Sequence, residues 1–472
     1  MSNLWKTKSI EKLILESQGE GEKRELKKVL TTWSLVALGI GAIIGAGLFS
    51  LTGIAAAEHA GPAVMLSFVV AAVACLFSAL CYAEFASMIP VAGSAYTYSY
   101  ATFGEFMAWI IGWDLVLEYS LGAATVGVSW SQYFVKLLHQ VGIIVPEALV
   151  KSPFEGGFIN LPAIFIVCAI SMVLIRGIRG SSKFNNILVV LKVTVVFVFI
   201  ILGWSFINPE NHVPFIPENQ GEFGHFGLSG IAMGAAVVFF AFIGFDAVST
   251  TAQETINPQK SMPRGIIGAL LACTVLYVLF AYVMTGMVRY DEFLNDASPV
   301  AKAFSVTGYT SIEFLLVLAI VCGFTSVILV MLLGQSRVFY AMSKDGLLPS
   351  FFSDIHPTFK TPWKTSIFFM LFVSLLAGLV PISDLGHMVS MGTLLAFALV
   401  SIGIIILRVR RPEVPRRFKT PLVPLIPILG TVISLALMYA LPMVSWYRLV
   451  IWMAIGLIIY FSYSRKHSRV DQ

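Results

Sequence analysis

The 472-residue chain is 57% hydrophobic and only 12% charged, with a mean hydropathy of +0.85. Such a composition excludes a soluble globule, and long apolar runs instead of short alternating segments exclude an outer-membrane barrel. The formal net charge of +5 does not indicate a nucleic-acid partner, because the placement of the basic residues accounts for it.

Residues 1–29 are charged and amphiphilic, without an apolar core or small-residue cleavage site, so a cytoplasmic segment and no signal peptide are expected. Twelve transmembrane helices follow at roughly 30–57, 61–89, 104–138, 159–176, 184–206, 227–255, 265–288, 311–341, 365–381, 385–407, 421–442 and 446–464. With the N-terminus inside, 25 of the 31 lysines and arginines fall in cytoplasmic segments, among them Lys23 to Lys28 and the linker Arg408 to Lys419. That asymmetry places both termini in the cytoplasm.

The first span has four glycines in nine positions, Gly39, Gly41, Gly45 and Gly47, where a plain anchor would carry leucine. Each interior glycine weakens a helix by about 1 kcal/mol relative to alanine. One reading is a helix broken at mid-membrane, with free backbone amides and a half-helix dipole available to a carboxylate. The other is close helix packing through small residues.

The second span holds Glu84 near its cytoplasmic end, where capping or loop anchoring is the expected role. In the third, Asp114 and Glu118 stand four residues apart on one helical face and require protein or water around them. The fifth contains Lys192 eight residues past its start, about 12 Å into the membrane and too deep to snorkel. Desolvation disfavours its charged form, which suits proton exchange. The alternative is a permanently charged lysine paired with Glu118 or Asp114.

Five helices after the first span, Gly244 and Asp246 followed by Ser249, Thr250 and Thr251 suggest a second interruption. Two broken helices in corresponding positions fit an inverted repeat. The segment 289–310 is polar and acidic, as a short external lid would be. Spans 11 and 12 have few internal polar groups and read as scaffold, or as a surface for a second copy or a small membrane peptide. The five cysteines all lie within spans without metal-ligand spacing, as small core residues do. No phosphate-binding loop, catalytic cluster or selectivity-filter repeat occurs in the sequence.

These residues resemble the amino acid–polyamine–organocation (APC) superfamily, and within it bacterial members of the cationic amino acid transporter family. The likeness is carried by Gly41 to Phe49, by Tyr82-Ala83-Glu84 with Pro90, Gly93 and Tyr96, by Lys192, and by Phe239 to Glu254 with Asn257-Pro258-Gln259-Lys260. It implies an all-α polytopic LeuT-like fold: a first repeat over 30–206, a second over 207–407, and two further helices and a tail over 408–472. It also implies a secondary transporter in the cell membrane, not an enzyme. The α-carboxylate of an L-amino acid would meet amides around Gly45, Ala46 and Gly47, and its ammonium would meet carbonyls near Ile43, Phe240 and Ile243. Phe240 would also gate. Lys192 would stand where sodium-coupled relatives bind their ion, making protons the coupling ion and dispensing with a metal or cofactor. Asp246 and Glu118 would join the proton response. Ile44 would belong to the same substrate site, and Ala42, Ile43, Ile243, Val321 and Cys322 would offer a small apolar surface, hence an expectation of small neutral substrates such as alanine. A cationic substrate held by Asp246 or Glu118, exchange of amino acids or polyamines without protons, and a transporter-like sensor or scaffold are the alternatives.

Overall fold

The computed structural model describes residues 4–8, 30–89, 94–177, 181–249, 252, 255–294, 296, 298–359 and 361–469, with the side chains of 181–186 and of residue 247 left out. Most of the N-terminal segment, the turn Pro90 to Gly93, and Thr250, Thr251, Gln253 and Glu254 of the sixth-span motif thus lie outside the described residues. Among the described residues the chain is helical, with one isolated bridge between Leu30 and Thr255 in place of any sheet.

Among the described residues six helices are long and apolar enough to cross a membrane: Gly47–Met88, Ile187–Phe206, Pro258–Met287, Thr310–Lys344, Ile382–Arg410 and Met443–His467. Five shorter apolar helices accompany them. The chain is a polytopic helical membrane protein.

The elements that frame the centre are α1 (Thr32–Ile43), α2 (Thr52–Ala55) between two π-helical turns, α3 (Val64–Met88), α4 (Ser94–Thr102), α5 (Glu105–Gln140), α6 (Leu161–Arg176) and α7 (Ser181–Gly203). They continue with α8 (Gly227–Val238), α9 (Phe245–Ser249), α10 (Pro258–Met287), α11 (Pro299–Ser305), α12 (Thr310–Lys344), α13 (Trp363–Leu379), α14 (Ile382–Arg410), α15 (Leu425–Ala440) and α16 (Met443–Ile459). The 36-residue α5 packs along α12, α13 and α14, while α10 runs against both α1 and α3. The segment expected as a lid folds into a short turn, Tyr290–Phe293, and α11. It leans on the second half of the first span, where a Cβ at Gly53 would lie 2.5 Å from Pro299.

Glu84 takes the anchoring role its position predicts. Its buried carboxylate accepts from Arg408 Nε at 3.0 Å, Arg408 Nη2 at 2.7 Å and the Thr420 amide at 2.7 Å, with Arg416 Nε 3.3 Å away. The α3 end is thereby tied to the basic linker after α14. On α16, Trp452 stacks on Trp113 at 4.5 Å, and each indole N–H donates to the other residue's carbonyl. The rest of α16 exposes Val450, Ile451 and Ile458, as expected for a helix facing lipid or a second copy.

Candidate functional site

Two interrupted helices meet at the centre. In α1 the last turn closes with the Ile44 amide donating to the Ile40 carbonyl, and Ile44 then turns extended at φ −69°, ψ 111°. The chain restarts as a π-helical turn at Gly47–Leu51, where the Leu48 and Phe49 amides donate to the Gly45 carbonyl at 3.2 and 3.1 Å. The second break follows α8: a 3-10 turn at Phe239–Phe242, an extended Ile243, and Gly244 at φ +118° before α9. Only glycine adopts that φ cheaply, and a Cβ on Gly244 would also sit 2.9 Å from the Ala42 carbonyl. The breaks touch each other through Gly47, whose Cβ would fall 2.2 Å from Ala241 Cα. Breaking and close packing, posed as alternatives from sequence, therefore coexist here.

Lys192 lies in the middle of α7 and is 1% exposed. Its ammonium donates to the carbonyls of Gly41 at 2.8 Å and Ile44 at 3.2 Å. These are oxygens set free by the break, and a buried ammonium needs such acceptors. Gly323 makes room for the stem, since a Cβ there would stand 3.0 Å from Lys192 Cγ. The alternative of an ion pair with Glu118 or Asp114 is not what forms: backbone carbonyls hold the lysine.

Tyr277 of α10 was not singled out from sequence. Its hydroxyl lies 3.0 Å from the Ile43 carbonyl and 2.9 Å from that of Ala241, one side chain bridging both breaks. A tyrosine in an apolar span gives no pattern that marks it, and its partners lie far off in the chain.

Asp246 opens α9 and accepts from the Gly244 amide at 3.2 Å and from the Tyr119 hydroxyl at 3.2 Å. Glu118, 2% exposed, lies within electrostatic reach of Asp246 and Asp114 and beside Thr393. Asp246, Glu118 and Asp114 thus lie within reach of one another, while Lys192 is held by the carbonyls of Gly41 and Ile44. Ala42, Ile43, Ile44, Ala46 and Ile243 are buried at the breaks. Phe240 is 5% exposed and, among the described residues, makes no ring contact, unlike Phe239 on Phe397 and Phe242 on Tyr277. Cys322 is only half-buried. Val327, one and a half turns along α12, is the side chain that approaches Gly45, 3.3 Å from where a Cβ would be. No group of three or more metal-ligating side chains forms among the described residues.

The two broken helices thus face each other, with backbone carbonyls at the breaks held by Lys192 and Tyr277. Residues 30–461 match the amino acid permease family. The chain belongs to that family, within the APC superfamily. It is 48% identical to a branched-chain amino acid permease of Bacillus subtilis, over 100% of this chain and 99% of that protein. It is 43% identical to a methylthioribose transporter of the same species, over the whole of both chains. It is 37% identical to human cationic amino acid transporter 4, over 83% of this chain and 61% of that one. This amino acid permease is a transporter and not an enzyme.

Proposed function

We propose that this permease is a secondary active transporter in the cell membrane that imports L-amino acids with protons by alternating access. The observation that carries the coupling is the Lys192 ammonium on the carbonyls of Gly41 and Ile44. A protonated lysine there supplies the positive charge that holds the broken first span together, and a neutral one releases it. Substrate carboxylate meets the amides of Gly45, Ala46 and Gly47 at the head of a half-helix. Its ammonium competes with the Tyr277 hydroxyl for the Ile43 carbonyl and reaches the carbonyls of Phe240 and Ile243. Phe240, free of ring partners, swings over the bound molecule. Glu118 and Asp246 take part in the proton response.

Backbone contacts recognise every α-amino acid alike, so side-chain choice falls to Ala42, Ile43, Ile44, Ile243, Val327 and Cys322. This apolar set favours small neutral amino acids such as alanine, and the branched-chain permease at 48% identity extends the range to leucine and valine. The full-length likeness to a methylthioribose transporter favours a second reading, a neutral thiosugar without carboxylate or ammonium. Competition against labelled alanine by leucine, arginine and methylthioribose in proteoliposomes separates them. Strong competition by leucine and weak competition by the other two is expected, and dominance of methylthioribose or arginine would overturn the neutral amino acid assignment.

A further inference from the structure

We propose that Asp114 is the proton-release residue of this permease, receiving the proton from Glu118 and passing it to water on the face that carries the basic loops. This rests on the proton-symport reading above.

Asp114 is 1% exposed, and both its carboxylate oxygens are buried without a hydrogen-bond partner, as is Oε1 of Glu118. Among the described residues neither acid has a lysine or arginine beside it. A carboxylate in a dry interior without donors, as that of Asp114 is, is tolerated only while it carries a proton. The hydroxyl of Tyr82, 0% exposed, is likewise without a partner and lies within electrostatic reach of Asp114, Glu118 and Asp246. The titratable groups around the pair are therefore Tyr119 on α5, Tyr82 on α3, Tyr98 on α4 and Asp246 on α9. Packed helices α14 and α12 contribute uncharged residues, Gly392 and Thr393 from one and Gln335 and Met342 from the other. A Cβ at Gly392 would come within 3.0 Å of Asp114 Oδ1, so the glycine leaves room for the carboxyl and little else.

One turn separates the two acids, about 6 Å between Cβ atoms, close enough for their carboxyl groups to meet directly. Asp114 is the one nearer Glu105, about 14 Å away along the helix. Glu105 lies where residues 4–8 meet the last described turns, bonded to Tyr460 and Ser468, with its amide donating to the Lys6 carbonyl. In the step, Asp114 gives its proton to water and its carboxylate then takes the proton of Glu118, so that one acid at a time is without a proton; Glu118 takes the next proton from Asp246 and the substrate site.

The test compares wild type, Asp114→Asn and Asp114→Glu in proteoliposomes with labelled alanine and a luminal pH-sensitive dye. Asp114→Asn is expected to keep alanine counterflow while its gradient-driven accumulation and coupled proton entry fall about a hundredfold. Asp114→Glu is expected to retain both. Asp114→Asn accumulating alanine like a gradient-responsive wild type would overturn this inference alone. Loss of counterflow in Asp114→Asn would also overturn it, making Asp114 part of general packing. A wild type with counterflow but no response to the gradient would overturn the proton-symport reading, and this inference with it.

Discussion

Lys192 shows what a single residue reveals in advance. A lone ammonium deep in an apolar run needs partners, and that need was legible; that the partners are carbonyls of Gly41 and Ile44 was not, because nothing in sequence spacing joins α7 to α1. Lys192→Ala is expected to abolish gradient-driven uptake, and undiminished uptake would remove the lysine from the coupling. Tyr277 was illegible, since its hydroxyl meets residues 234 and 36 positions away. Tyr277→Phe leaves two carbonyls at the breaks without their donor, an expected loss of about 1–3 kcal/mol. Thermal unfolding in detergent measures it, and an unchanged transition would deny Tyr277 its clamping role. Gly244→Ala forces an unfavourable φ at a cost of about 1–3 kcal/mol, in addition to the contact with Ala42. Its expected outcome is a poorly folded protein, read by size-exclusion chromatography.

Elements were more legible than contacts. The glycine pattern marked the interruption of the first span, and Gly244 beside Asp246 marked the second, because backbone strain has a residue signature. The forms the breaks take, a π-helical turn on one side and a 3-10 turn on the other, depend on Ala241 pressing on Gly47 and had no such signature. Glu84 could be recognised as an anchor from its place at a helix end, but its basic partners come from more than 300 residues downstream. Removing one partner of a buried ion pair costs about 3–5 kcal/mol, so Glu84→Gln is expected to lower the melting temperature sharply. Stability equal to wild type would show that Arg408 and Arg416 find other acceptors.

Across the whole molecule, residues 4–8 and the stretch up to Arg469 gather at one face. The Lys8 ammonium lies 2.7 Å from Asp345, which also accepts from the Tyr96 hydroxyl at 2.6 Å, and the Lys8 amide donates to the Tyr100 carbonyl. The Arg469 amide closes on the Asp345 carbonyl at 3.0 Å. Asp345→Asn weakens this clasp, and faster tryptic cleavage at Lys6 and Lys8 is the expected result; an unchanged rate would mean that backbone pairing alone holds residues 4–8. Transport of amino acids follows from the family, whereas the proton driving force proposed for it is argued from one lysine and three buried acids.

Uptake of labelled alanine into sodium-free proteoliposomes, with and without an inward proton gradient, tests that driving force most directly. Accumulation that rises with the gradient and needs no internal amino acid is the predicted result. Uptake indifferent to the gradient but dependent on internal amino acid would make the permease an exchanger and contradict the role given to Lys192.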